Sequence, residues 1–215
     1  PVLIAPAMNP RMWAHPATRA NVEALRSRGV ELVGPDEGEM AEGEWGVGRL
    51  AEPVEIAALV EQLLAPGSLA GRRVLITAGG TCEPLDSVRF VGNRSSGRMG
   101  VALAEEARRR GADVILLAAN LSIAPPYGVE TLPTPTAESL LDAALALPGV
   151  AASLLAAAVA DYRPAEALAG KRPKADRAWS IELEPTVDVA RALGERKRPG
   201  QVLVAFGAEH GEEGL

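Results

Sequence analysis

The chain has 215 residues, of which 47% are hydrophobic and 23% are charged, a globular composition that suits one large or two small domains and argues against disorder. Aromatic residues make up only 3%, so we expect a core of small aliphatic side chains in an α/β arrangement. With 22 Lys and Arg against 28 Asp and Glu, the chain lacks the basic character of a nucleic-acid-binding protein.

The first part of the chain, residues 1–67, has the pattern of a strand, a helix and a second strand. Pro16 suits the first turn of the helix, and Gly29 suits its end. Prolines on both sides of Asn9 end the first strand and predict a loop at its carboxyl end, the edge at which open α/β sheets bind ligands. The predicted elements are a strand at 2–5, a loop at 6–10, a helix at 16–28, a strand at 30–33, a loop at 35–53, a helix at 53–64 and a linker at 65–68.

The second part, residues 68–215, alternates strands and helices more regularly. This alternation predicts a mostly parallel sheet with right-handed crossovers. A long polar loop follows the first strand, and loops of that length in compact domains are usually functional. The predicted elements are a strand at 73–77, the polar loop up to 97, a helix at 98–110, strands at 113–119 and 129–132, a helix at 137–147, a strand at 151–159, a loop rich in proline and lysine, a strand at 179–183, a helix at 187–195 and a strand at 202–206.

Cysteine content and apolar runs narrow the cellular setting. Cys82 is the only cysteine, which excludes an internal disulfide and a multi-cysteine zinc site and fits a reducing, cytoplasmic environment. The longest apolar run, residues 150–160, is too short to cross a bilayer, and no secretory signal is visible, so we expect no membrane partner. The chain starts directly in a strand-like run and stops soon after another, which leads us to expect a piece of a longer protein.

Two small-residue clusters bracket the polar loop of the second part. Gly79 and Gly80 follow the first strand, and Ser95, Ser96 and Gly97 precede the next helix. Glycines let backbone amides approach phosphate oxygens, and amides at a helix N-terminus also favour anions, so the two clusters suggest an anion cradle. A tight turn at the glycines and a serine cap on the helix explain the same pattern equally well.

Charged residues follow the apolar run 151–160. Asp161 stands where a strand ends and suits a Mg²⁺ ion or the edge of a nucleotide base, although a carboxylate that caps a turn is the commoner case. Lys171, Arg172 and Lys174 come next and suit the neutralisation of a triphosphate, whereas most such clusters are solvated surface. Their position directly after Asp161 favours the phosphate interpretation.

Residues 77–100, taken with residues 157–164, resemble phosphopantothenoylcysteine synthetase, the ligase half of the bifunctional bacterial coenzyme A biosynthesis proteins. Residues 6–13 resemble the substrate-binding motif of the other half, a flavin-dependent phosphopantothenoylcysteine decarboxylase. The two motifs occur in the order of the fused protein. The resemblance implies the end of a flavodoxin-like decarboxylase domain at 1–67, followed at 68–215 by a Rossmann-like three-layer ligase domain that is truncated at its C-terminus.

The resemblance also implies roles for individual residues of the ligase part. Asn93 matches an asparagine that processes an acyl-nucleotide intermediate, and Lys171 matches a catalytic, CTP-binding lysine. Val187 stands where the family has a proline, at the start of a helix whose amides face the phosphates. The other implied nucleotide contacts are Ala157 and Ala158 at the cytosine, Asp161, Lys174, Asp188, Val189, Ala190 and Phe206, and further lysines would lie past Leu215.

The decarboxylase part departs more from its family. Residues 38–49 resemble the substrate clamp, yet Glu42 stands at the position of the proton-donor cysteine. The flavin-binding segment and the catalytic histidine of the family would precede Pro1, and His15 is not that histidine. Asn9 is the best candidate for a substrate contact.

The implied function is the CTP-dependent ligation of 4'-phosphopantothenate to L-cysteine, with Mg²⁺ bound mainly through phosphates and FMN needed only for decarboxylation. The implied partners are these small molecules and further copies of the chain, as a homodimer or a larger homo-oligomer, without nucleic acid. Two alternatives stay open: a flavin-dependent decarboxylase alone, and a non-catalytic nucleotide-binding or assembly fragment.

Overall fold

A computed structural model describes residues 1–40, 43–64 and 67–208. The chain divides into two compact units, Pro1–Ser68 and Leu69–Leu215. The helices of the described part have at most 12 residues, and none of them is long and apolar enough to cross a membrane.

The first unit contains a short parallel pair of strands and an antiparallel hairpin. The parallel pair joins Leu3 to Glu31 and encloses two helices in sequence. The prediction of a loop throughout 35–53 is therefore wrong: residues 36–39 have no apolar side chain, and at 45–49 the two apolar side chains, Trp45 and Val47, alternate with glycines and are exposed. Its elements are β1 (Leu3–Ile4), α1 (Pro10–Ala14), α2 (Pro16–Ser27), β2 (Glu31–Leu32), β3 (Asp36–Glu39), β4 (Trp45–Arg49) and α3 (Pro53–Leu64).

Glycine allows this hairpin to approach the loop that follows β1. A Cβ at Gly48 would lie 2.1 Å from the backbone oxygen of Met8, and the Met8 amide donates to the Gly48 oxygen at 2.9 Å. Backbone contacts, which need no side chain, therefore hold β4 against the loop that follows β1.

The elements of the second unit are β5 (Arg73–Gly79), β6 (Cys82–Pro84), β7 (Phe90–Gly92), α4 (Arg98–Arg109), β8 (Asp113–Ala119), β9 (Glu130–Pro133), α5 (Ala137–Ala146), β10 (Val150–Leu155), β11 (Tyr162–Pro164), β12 (Leu183–Pro185), α6 (Val189–Glu195) and β13 (Val202–Ala205). This unit is built on one five-stranded sheet in the order β13-β10-β5-β8-β9, with all neighbours parallel. The predicted fold class, a mostly parallel α/β sheet, is confirmed. Two antiparallel hairpins, β6-β7 and β11-β12, extend from the sheet.

The strand order creates a switch point beside the central strand. The chain starts at β5, continues to β8 and β9 on one side, and then returns to β10 on the other side. Loops that leave β5 and β10 at their carboxyl ends run in opposite directions, which opens a crevice there. Open α/β sheets bind ligands in such crevices.

The core lies on both faces of the sheet, as alternate strand residues require. On one face α4 packs on Val74 and Ile76 of β5, and on the other α5 packs around Leu75. Small residues make this possible: a Cβ at Gly100 of α4 would lie 2.4 Å from the Cβ of Ala78. The low aromatic content of the sequence thus corresponds to close helix-on-sheet contacts.

Three details of the second unit differ from the expectations. The polar loop after β5 contains the β6-β7 hairpin, and the strand expected at 179–183 begins only at Leu183. The strand expected at 151–159 ends at Leu155, because the Ala157 and Ala160 amides bond to threonine hydroxyls, and beyond Leu155 only an isolated bridge between Ala158 and Gly80 continues the pairing with β5. Apolar composition alone does not reveal that exit.

Candidate functional site

A cavity of about 760 Å³ lies at the carboxyl ends of β5, β10 and β13 in the second unit. Four pieces of chain form most of its wall: Thr77 at the end of β5, residues 155–161 after β10, residues 186–190 at the start of α6, and residues 205–208 after β13. The volume falls within the ~300–1,000 Å³ typical of small-molecule sites. The cavity therefore occupies the crevice that the strand order predicts.

Buried threonines shape the wall after β10. The Thr77 hydroxyl accepts a hydrogen bond from the Ala157 amide at 3.0 Å, and the Thr81 hydroxyl accepts one from the Ala160 amide at 2.8 Å. Both threonines are at most 1% exposed. Together with the Ala158 amide, which donates to the Gly79 backbone oxygen at 2.8 Å, these bonds hold residues 157–160 beside the end of β5, where Ala157 and Ala158 line the cavity. Such a wall suits a flat, apolar face of a ligand.

Asn93 reaches this wall from the loop before α4. Its side-chain amide donates to the Val159 oxygen at 2.9 Å, while Asn93 itself is exposed. A Cβ at Gly80 would lie 2.6 Å from the Asn93 backbone oxygen. Gly80 therefore allows the loop that carries Asn93 to approach the cavity.

The start of α6 closes the opposite side. Asp188 is the N-cap, and its carboxylate accepts from the Arg191 amide at 2.9 Å. The Thr186 amide donates to the backbone oxygen of Asp161 at 2.9 Å, and the Thr186 hydroxyl donates to the backbone oxygen of Ala160. These bonds tie the helix start to the wall after β10.

Asp161 presents an exposed carboxylate at the cavity. Within the described ranges its side chain makes no hydrogen bond or ion pair, and no three or more His, Cys, Asp or Glu side chains are grouped to hold a metal ion. A single free carboxylate is typical of Mg²⁺ that is held mainly by phosphates.

The cavity collects half of the residues singled out in the sequence. Lys171 and Lys174 do not line it; both are exposed in the loop between β11 and β12. Phe206 is 44% exposed at the wall, and its amide donates to the Leu155 oxygen at 3.1 Å. The predicted residues that line the cavity are Asn93, Ala157, Ala158, Asp161, Val187, Asp188, Val189, Ala190 and Phe206.

The glycine and serine clusters have a packing role beside the cavity. A Cβ at Gly79 would lie 1.9 Å from the Ala119 oxygen, and one at Gly97, whose φ is +81°, would lie 2.2 Å from Leu121. Gly97 is the N-cap of α4 and makes no side-chain cap, while the hydroxyls of Ser95 and Ser96 accept only weak local bonds at 3.4 and 3.5 Å. An anion contact by these amides stays a prediction.

The candidate residues of the first unit are Asn9 and Glu42. Asn9 caps α1 by accepting from the Arg11 amide at 2.9 Å, and its side-chain amide donates to the Glu44 carboxylate. Glu42 lies outside the described residues. A cavity beside α2, lined in part by Trp13, has about 140 Å³, below the ~300 Å³ lower bound for cofactor-sized sites.

A buried carboxylate that sequence reasoning left without a role lies between the two hairpins. The side chain of Asp86 has no exposed surface and pairs with Arg89 at 2.6 Å. Burial alone would raise the pKa of Asp86, but hydrogen bonds from the amides of Arg89, Val88 and Arg172 and from the Arg89 side chain hold that pKa well below its ordinary value. The spacing of opposite charges three residues apart is the signal that could have identified the pair.

Comparison with known families supports two parts in the chain. Residues 69–214 match the family model described as DNA/pantothenate metabolism flavoprotein C-terminal domain, and residues 1–65 match the model described as Flavoprotein. The boundary between the two matches lies close to the division between the two compact units.

Individual relatives agree with these matches. The coenzyme A biosynthesis bifunctional protein CoaBC of Mycobacterium tuberculosis is 43% identical over 99% of this chain and 54% of its own length. A cysteine/cysteine sulfinic acid decarboxylase from an unknown prokaryotic organism is 40% identical over 99% of this chain and 61% of its own length. A crystal structure of the C-terminal domain of CoaBC superposes with a TM-score of 0.58 at 43% identity, covering 66% of each chain. The chain spans about half the length of the bifunctional relatives it matches.

Proposed function

The chain belongs to the DNA/pantothenate metabolism flavoprotein family, that of the bifunctional coenzyme A biosynthesis proteins, and from that premise we propose that its second unit is a CTP-dependent phosphopantothenate-cysteine ligase. The observation that carries the proposal is the cavity at the switch point. Nine residues that the resemblance links to the nucleotide and the intermediate, scattered between positions 93 and 206, line that single cavity.

Different parts of the cavity wall suit the base, the triphosphate and the metal ion. The base would lie against Ala157 and Ala158, where small side chains allow a flat ring to approach the backbone. The triphosphate would extend towards the start of α6, with Lys171 and Lys174 as counter-charges. Asp161, the free carboxylate at the wall, fits a Mg²⁺ ion that would offset phosphate charge.

The proposed reaction has two steps. A carboxylate oxygen of phosphopantothenate attacks the α-phosphorus of CTP, and pyrophosphate leaves. The amine nitrogen of cysteine then attacks the acyl carbon, the bond to CMP breaks, and the amine loses a proton. Asn93 would donate to the oxygen that gains negative charge in the second step.

One relative favours a second candidate, a flavin-dependent decarboxylase. It is a decarboxylase by name and matches 99% of this chain at 40% identity. The match of residues 1–65 to a flavoprotein model suggests FMN. The cavity of about 140 Å³ in this unit lies below the ~300 Å³ of cofactor-sized sites, and we derive no step through a flavin.

The test of the ligase is pyrophosphate release by the purified chain with Mg²⁺, phosphopantothenate and either CTP or ATP, followed by addition of cysteine. We expect release with CTP but not with ATP, and CMP once cysteine is present. Asn93→Ala should slow the cysteine-dependent step by about 100-fold, the typical effect of losing one donor to a developing oxyanion. Asn21→Ala, an exposed asparagine of α2, is the matched control and should leave both steps unchanged.

Other outcomes separate the candidates. Release of carbon dioxide from phosphopantothenoylcysteine without a nucleotide, by a chain that carries bound yellow flavin, would establish the decarboxylase. CTP binding without pyrophosphate release would point to a nucleotide-binding fragment. If neither nucleotide gives pyrophosphate release and CTP does not bind, the ligase is refuted.

A further inference from the structure

The tip of the β6-β7 hairpin is hydrogen-bonded to the basic loop that joins β11 to β12. The Oδ1 atom of Asp86 accepts from the amides of Val88 and Arg89 at 2.9 and 2.8 Å. Its Oδ2 atom accepts from the Arg89 side chain and, across the gap between the hairpins, from the Arg172 amide at 3.2 Å. Leu85 adds a further bond, because its oxygen accepts from the Leu168 amide at 3.0 Å.

Arg89 adds further contacts with the same loop. Its guanidinium donates to the Arg172 oxygen at 2.7 Å and lies 5.0 Å from the centre of the Trp179 ring. The Arg172 guanidinium lies 4.5 Å from the same ring. The backbone amide and oxygen of Arg172 are thus both bonded to the Asp86–Arg89 pair. The Trp179 ring makes cation–π contacts with the two guanidiniums. We call Asp86, Arg89, Arg172 and Trp179 the clamp.

The position of the clamp gives it a consequence for the cavity. The loop it holds leaves the cavity just after Asp161 and returns just before Thr186, where the Thr186 amide bonds to the Asp161 oxygen. Lys171 precedes the clamped Arg172 directly, and Lys174 follows two residues later. On the other hairpin, β7 ends one residue before Asn93. The clamp therefore ties the strand that leads to Asn93 to the loop that carries the two lysines.

We propose that Asp86 and Trp179 are positioning residues that hold Lys171 in place for the phosphates of the nucleotide, an inference that rests on the proposed ligase function. An unclamped loop of this length would have to be ordered each time a nucleotide binds, at an entropic cost. Neither Asp86 nor Trp179 lines the cavity, so their effect would pass through the loop.

The structural part of the proposal is tested by limited proteolysis, which needs no substrate. Trypsin cleaves after Lys174 and Arg177, both exposed on the clamped loop. In Asp86→Asn the amide nitrogen replaces Oδ2 and faces three donors, so the initial rate of cleavage at these sites should rise about tenfold. Asp113→Asn breaks the ion pair with Arg73, a 2.6 Å contact between two strands of the sheet, and should leave that rate unchanged. Equal rates in wild type and Asp86→Asn would overturn the clamp.

The functional part is tested by a double-mutant cycle with Lys171→Ala. Asp86→Asn should raise the KM for CTP about tenfold with little change in kcat, and this effect should disappear when Lys171 is already absent. Full and additive effects of the two substitutions would overturn the positioning role. Should Asp86→Asn fail to fold, Trp179→Leu tests the same cycle without leaving a polar group unpaired, and it should give a smaller effect of the same kind.

The outcomes distinguish the two proposals. A wild-type chain that neither binds nor turns over CTP refutes the ligase and, with it, the role assigned to Lys171. Protection of the loop from trypsin in that chain, lost in Asp86→Asn, would still establish the clamp as a structural device.

Discussion

Gly100 offers a direct test of how α4 is seated on the central strand. The residue faces β5, and a Cβ there would lie 2.4 Å from the Ala78 Cβ and 2.7 Å from the Thr77 oxygen. Neither neighbour is the free end of a flexible side chain, so Gly100→Ala must push the helix off the strand. Since Thr77 also shapes the cavity wall, the displacement would reach the candidate site.

The expected loss of stability follows from two opposing effects. Overpacking a close contact costs ~1–3 kcal/mol, and the short distances here place the cost at the upper end. Alanine is the better helix former by about 1 kcal/mol, which offsets part of the cost. We therefore expect a net loss of about 2 kcal/mol, measured by urea denaturation followed by circular dichroism.

A second helical glycine provides the matched control. A Cβ at Gly194 of α6 would meet only the Leu203 side chain, at an ordinary 3.7 Å. Gly194→Ala should therefore stabilise the protein by ~0.5–1 kcal/mol through helix propensity alone. A Gly100→Ala protein as stable as wild type, or stabilised like Gly194→Ala, would refute the close packing of α4 on β5.

Three further predictions concern the site and the pH dependence. Thr81→Val leaves the buried Ala160 amide without its acceptor and should cost ~1–3 kcal/mol in urea denaturation and weaken CTP binding, whereas Thr131→Val on strand β9 should change CTP binding little. Asp188→Ala removes the N-cap of α6 and should cost about 1 kcal/mol, a value that an unchanged thermal unfolding curve would contradict. Hydrogen bonds from Arg109 and Arg110 lower the pKa of Glu106 from its ordinary 4.5 to about 2. Its contribution to stability is therefore complete above pH 4.5 and lost as the pH falls towards 2, so Glu106→Gln should lose less stability than wild type over that interval.

The sequence predicts most of the second unit because its pattern is strong. Alternating apolar residues on β5 and β8 pack on both faces of the sheet, and Gly111 ends the α4 region as expected. The strand order, however, depends on which strands pair at long range, and local periodicity carries no such information. The sheet edge at which the cavity lies could be predicted, while the switch point between β5 and β10 could not.

The candidate site, like the fold, could be predicted only in part from the sequence. The resemblance identifies Asn93 and Asp161 by their motifs, yet their approach depends on the hydroxyls of Thr77 and Thr81, which look like ordinary strand and loop threonines in the sequence. The clamp depends on a contact between residues 86 apart, Asp86 and Arg172. Neither feature has a local pattern that would reveal it.

The most direct test of the account is a calorimetric titration of the chain with CTP in the presence of Mg²⁺, repeated with Ala158→Leu. Ala158 lines the cavity where the base would lie, and a leucine side chain there would fill that space. We predict that the wild-type chain binds CTP and that Ala158→Leu loses binding while its thermal unfolding remains close to wild type. Undiminished binding by Ala158→Leu, or no binding by the wild-type chain, would contradict the claim that this cavity is the nucleotide site.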